Sequence, residues 1–291
     1  MNDFTEIAGL RDYPLARRGM MMTSLISGFT LAVNRVVAQT ITTDANGLVV
    51  GDTKIPTSDG DLPAYFARPE KGTHFPVVLV IEEIYGVHEH IADICRRLAK
   101  VGYLAVATEY YARIGDLSKM TDSKEIMTNV ILKTPDARFV ADADATITWA
   151  GKNKGDVNHV GVTGFCRGGR QTWLIAASSK RVKAAVSWYG FVLGGTSDIQ
   201  PKTVTDVADQ VKCPLLGLYG GQDQGNPPAA VHAAEAKAKA AGKTVEIVIY
   251  PDAPHGFNAD YRPSYRKDAA EDGWKRMLAW FAAHGVKPAK V

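Results

Sequence analysis

Apolar residues along this chain fall into two alternating kinds of run. Val77-Val78-Leu79-Val80-Ile81, Ala105 to Thr108, His159 to Thr163, Ala184 to Trp188, Leu215 to Tyr219 and Val245 to Tyr250 are short and largely apolar, as strands covered on both faces must be. Between them apolar positions recur at helical spacing: Ile91, Ile94, Cys95 and Leu98, then Val140, Ala143, Ile147 and Ala150, then Trp173, Leu174 and Ala177, and finally Trp274, Met277, Leu278 and Phe281. Each set forms one stripe of a helix. Strands alternating with helices predict the α/β class, with a mostly parallel central sheet and helices on both faces. Leu62 to Ala67 is expected to be an edge strand, paired with Val50 to Ile55 across the turn at Ser58-Asp59-Gly60. The stretch 111–134 has little periodicity, and the expectation is a mobile cover over the site.

Composition narrows the partners. With 291 residues, 46% hydrophobic and 22% charged, the chain suits one large domain, expected over 39–291, with ample core. A net charge of +3 without an arginine-rich tract argues against nucleic acid. Ahead of the domain, 1–38 carries Arg17-Arg18, a mildly apolar stretch from Met20 to Val33, and small residues at Val36-Val37-Ala38. That layout predicts a twin-arginine-type export signal and a periplasmic destination. The alternative is an N-terminal arm that stays attached, in a cytoplasmic protein. The apolar stretch is too short and too polar to span a bilayer, so no stable membrane anchoring is expected. The three cysteines predict no structural disulfide, and Cys95 falls on a core stripe.

The candidate chemistry centres on Gly164-Phe165-Cys166-Arg167-Gly168-Gly169, which follows a strand run and opens a helical one. This is the layout of a nucleophile elbow, with cysteine at the nucleophile position. Glycines are expected there for crowding and for positive φ angles. The amides at the start of the new helix would favour a thiolate and an oxyanion. Such a nucleophile needs an acid and then a histidine, in that chain order. Asp223 follows the run Leu215 to Tyr219, and His255 follows Val245 to Tyr250. Asp252, three residues from His255, competes for the acid role. In a parallel sheet the C-terminal strand ends share one edge, so Cys166, Asp223 and His255 can converge. His88-Glu89-His90 does not have a zinc-ligand spacing, and no metal is expected.

The elbow, the segment Glu83-Ile84-Tyr85-Gly86, the Gly220-Gly221-Gln222-Asp223 loop and His255-Gly256-Phe257 together resemble the dienelactone hydrolase family of α/β-hydrolases, also called carboxymethylenebutenolidases. The resemblance runs from about Thr53 to Ala283. It implies the α/β-hydrolase fold and hydrolysis of a lactone or activated ester through a cysteinyl acyl-enzyme, without metal or cofactor. It implies that Ile84 and Arg167 supply the oxyanion-hole amides and that Glu83, with Glu82 as fallback, takes the thiol proton. It also implies two arginines on a substrate carboxylate. Arg113 matches the first in position; at the second this chain has Ala259, and Arg262 is the nearest replacement. The partner on this reading is a small lactone or ester, and the chain is a monomer or homodimer. Two alternatives stay open: a general carboxylesterase with an unrelated ester, or a non-catalytic binding module of the same fold.

Overall fold

A computed structural model describes residues 40–290, and the expected export segment lies outside them. Two antiparallel strands, β1 (Leu48–Thr57) and β2 (Gly60–Pro69), lead into β3 (Phe75–Ile81) and helix α1 (Glu89–Lys100). Then come β4 (Leu104–Thr108), the short helix α2 (Ser123–Asn129), α3 (Asp136–Lys152), β5 (Gly155–Phe165) and α4 (Arg167–Ser178). The chain closes with β6 (Ala184–Trp188), α5 (Val204–Val207), β7 (Leu215–Gly220), α6 (Pro228–Ala240), β8 (Val245–Tyr250) and α7 (Lys267–Ala283).

The eight strands form one sheet in the order β1-β2-β4-β3-β5-β6-β7-β8. From β4 to β8 every pairing is parallel, while β1 with β2 and β2 with β4 are antiparallel. This is the predicted α/β-hydrolase architecture. Strands β3, β4, β6 and β7 are buried at every residue, so both of their faces are covered. That coverage is the reason their sequences lack polar alternation. One expectation fails at the edge. Residues Ala64 to Ala67 also pair with β4, so β2 is internal and β1 is the edge strand.

The stretch 111–134 is not a loose cover. It folds into two short 3-10 turns and α2, and buries Tyr111, Leu117, Ile126, Val130 and Ile131. Its apolar residues meet the core without helical periodicity because the elements are too short to show one. Cys95, Cys166 and Cys213 are all free thiols. Among the described residues no helix is long and apolar enough to cross a membrane.

Candidate active site

Cys166 sits between the end of β5 and the first residue of α4, with φ 55° and ψ −118°. A non-glycine residue there is strained, and such strain persists only where surrounding structure enforces it. The enforcement is visible. The Cys166 amide donates to the Trp188 carbonyl at 3.0 Å, and the Cys166 carbonyl accepts from the Gly169 amide at 3.0 Å. A Cβ on Gly164 would lie 2.3 Å from the Gly168 carbonyl oxygen, and one on Gly168 would lie 2.4 Å from that of Glu82. Glycine is thus required for close backbone approach. The expected positive φ belongs to the cysteine and not to Gly164 or Gly168.

His255 and Asp223 arrive from the loops after β8 and β7, on the same edge of the sheet as Cys166. Their link, from His255 Nδ1 to Asp223 Oδ2, spans 2.7 Å. The carboxylate is fixed from behind: the Gly225 amide donates to Oδ1 at 2.9 Å and the Asn226 side-chain amide to Oδ2 at 2.9 Å. Burial would raise the Asp223 pKa, but these bonds and His255 outweigh it and keep the carboxylate ionised. Asp252, the competing acid, is exposed. The imidazole is held between Phe191, stacked at 5.0 Å, and Tyr189, edge-on at 5.1 Å.

With Nδ1 committed to Asp223, the buried Nε2 is the nitrogen left for sulfur. It makes no hydrogen bond of ordinary geometry, yet Cys166 lies near enough to influence the ring. We read the pair as adjacent and loosely bonded, which is common before a substrate is bound. Burial alone would lower the His255 pKa; the neighbouring Cys166 and the Asp223 bond overcome it and hold the pKa up. Cys166 is only 3% exposed.

The two adjacent glutamates point into different surroundings. Glu83 is fully buried against Arg262, His88 and the Tyr261 hydroxyl, which donates to it. Burial would raise its pKa, but Arg262 and then His88 dominate and hold it well below the usual carboxylate range. The Arg262 guanidinium lies 4.0 Å from Glu83 and over the rings of Tyr85 and Tyr261. Arg262 thus stands beside the glutamate to which the resemblance gave a role. Arg113 does not. Its guanidinium is taken by Asp142 and Asp59, each at 2.7 Å, and by the Thr57 hydroxyl. Among the described residues no ion pair or hydrogen bond links it to Cys166, His255 or Glu83, so the structure does not join the expected substrate arginine to the thiol and instead shows it clamping β1 to α3.

Glu82 turns the other way and meets Glu109, which the sequence reading passed over. Glu82 accepts the Tyr110 amide at 2.8 Å and Glu109 accepts the Val87 amide at 2.9 Å. The side chains also contact each other. Two carboxylates have no donor between them, so that contact needs a shared proton. Burial is the main cause that pushes both up, Glu109 to about 7. The pair ties the loop holding Ile84 to the end of β4.

The sign of this pair's effect on stability follows. A carboxyl whose folded pKa lies above its unfolded value favours folding when protonated, and that contribution is lost as pH rises through about 7. The wild type should therefore lose up to about 3 kcal/mol between about pH 5 and about pH 8 that Glu109→Gln does not lose. Urea melts of both proteins at the two pH values measure it, and parallel losses would refute the shared-proton reading.

The profile described as "Dienelactone hydrolase family" matches residues 62–285. A Methylorubrum extorquens protein named "Putative carboxymethylenebutenolidase" is 54% identical over 274 residues, 94% of each chain. An Escherichia coli K12 protein of the same name is 47% identical over 268 residues, 92% of this chain and 99% of that one. A solved structure titled "Crystal Structure of Putative Dienelactone Hydrolase from Klebsiella pneumoniae subsp. pneumoniae MGH 78578" superposes with a TM-score of 0.79 at 47% identity. It covers 81% of this chain and 98% of that one.

Proposed function

The chain belongs to the dienelactone hydrolase family, and on that premise we propose that it hydrolyses a lactone or activated ester by way of a thioester on Cys166. One observation carries the reading most: Cys166 holds a strained backbone at the first turn of α4, beside a histidine already bonded to a fixed carboxylate.

In the proposed cycle the thiol proton passes to His255 Nε2 as sulfur attacks the substrate carbonyl. Asp223 stabilises the imidazolium that results. The oxyanion is held by the main-chain amides of Ile84 and Arg167. The latter opens α4 and so has no partner one turn back. Collapse breaks the carbon–oxygen bond, and the departing alkoxide takes the proton from His255. Water, deprotonated by the same imidazole, then attacks the thioester and returns the thiol. Thiolate is a good leaving group, so the route suits esters and lactones and not stable amides.

Glu83 has a second part in this proposal. At rest Arg262, His88 and Tyr261 occupy it; a substrate that draws Arg262 away would free the carboxylate to assist the thiol's ionisation. Purified protein assayed with a dienelactone and with 4-nitrophenyl acetate tests the function. Turnover of the lactone supports it, turnover of the aryl ester alone favours a general carboxylesterase, and no turnover of either rejects it.

A further inference from the structure

Arg167 is a buried cation without an acid. The residue is 7% exposed. Its guanidinium donates from Nη2 to the Gln200 side-chain oxygen at 2.6 Å, while its Nε–H is buried with no acceptor. Gln200 is itself fixed, its amide donating to the Ile131 and Thr134 carbonyls at 2.7 and 2.8 Å. A neutral amide does not balance a charge. Arg96, Arg97, Arg113, Arg170 and Arg262 each face a carboxylate. Among the described residues Arg167 has none within 4.0 Å. Asp136, the acid it senses, is held by both ends of Arg170 at 2.7 and 2.8 Å.

A second donor lies within electrostatic reach of it. The Tyr111 hydroxyl is buried with no hydrogen-bond partner, and it senses both Arg167 and Cys166 electrostatically. Burial pushes the Tyr111 pKa up, so the hydroxyl keeps its proton. Burial and then the neighbouring Arg170 push the Arg167 pKa down, the direction expected of a cation short of counter-charge. A desolvated guanidinium with an unused N–H, next to an unused hydroxyl, is complementary to an oxyanion.

We propose that the Arg167 guanidinium and the Tyr111 hydroxyl form an anion subsite beside Cys166, which receives a carboxylate carried by the acyl part of the substrate. The subsite is distinct from Arg262, whose charge Glu83 answers, and from Arg113, which is clamped between two aspartates. It deepens the hydrolase reading and rests on it only for the identity of the ligand as substrate.

Alkylation of Cys166 tests the subsite without requiring turnover. Iodoacetate and iodoacetamide both lose iodide to sulfur, and differ in whether the tail bears a carboxylate. Rates are read by mass on the Cys166 peptide of the full-length protein. The iodoacetate-to-iodoacetamide rate ratio is expected to fall about tenfold in Arg167→Gln, the scale of one charge-assisted hydrogen bond, and by a smaller factor in Tyr111→Phe. An unchanged ratio overturns the proposal, and so does a wild-type thiol that takes neither reagent. A measurement on the wild type alone guards against a misfolded variant: benzoate should slow alkylation by iodoacetamide, and benzamide should not. Equal protection overturns the proposal. For turnover, mono-4-nitrophenyl glutarate is compared with 4-nitrophenyl acetate. If neither is hydrolysed the hydrolase reading fails, while the alkylation ratio still judges the subsite.

Discussion

Cys166→Ala lowers kcat/KM for a hydrolysed ester or lactone by about a thousandfold or more, leaving only what binding and the oxyanion amides supply. The size of the effect comes from the division of labour at the elbow. Ile84 and Arg167 would contribute through main-chain amides that the substitution leaves in place, whereas the covalent route is lost with the sulfur. Alanine also fits the site, since it keeps the Cβ and only removes the sulfur. The variant should fold as the wild type does, so circular dichroism alongside steady-state kinetics separates lost chemistry from lost structure. An undiminished rate would place the chemistry elsewhere.

Asp223→Asn is expected to come next, with a loss on the order of a thousandfold in kcat. The aspartate oxygens accept from Gly225, Asn226 and His255 at once. An asparagine brings an NH2 group where one of these donors now points, so it must either lose a bond or turn the imidazole. If it bonds His255 through its NH2, Nδ1 becomes an acceptor and Nε2 carries the proton. Nε2 can then no longer take one from sulfur. The loss should therefore appear in kcat more than in KM, and it should be partly relieved at high pH, where the thiol ionises unaided. A loss confined to KM would mean that Asp223 positions substrate and not the histidine.

The elbow was legible in the sequence because its requirement is local. Gly164, Gly168 and Gly169 must lack a Cβ whatever else surrounds them, and Cys166 must lie between a strand and a helix. Asp223 and His255 were legible for a related reason: each follows a strand of the parallel part of the sheet, and the fold gathers such positions on one edge. Glu109 was not. Nothing near it in sequence marks it as different from a solvated loop acid, and its role arises from Glu82, Val87 and Tyr110 meeting across two strand ends.

Arg113 is the opposite case. Its place after a strand matched a pattern, but the reach of a long side chain is decided by its partners. Asp59 and Asp142 come from the β1–β2 turn and from α3. Tyr261 and Asn226 escaped notice because each acts on another side chain: the one on Glu83, the other on Asp223. The internal position of β2 depended on β4 pairing alongside it, which the alternation within β2 alone does not encode.

A covalent intermediate is the central claim, and mass spectrometry of the quenched enzyme tests it most directly. Acid quenching during turnover of a slow aryl ester should yield protein heavier by one acyl group, located on the peptide that contains Cys166 and released by hydroxylamine. Continued hydrolysis with no acyl group on that peptide at any time point would contradict the account.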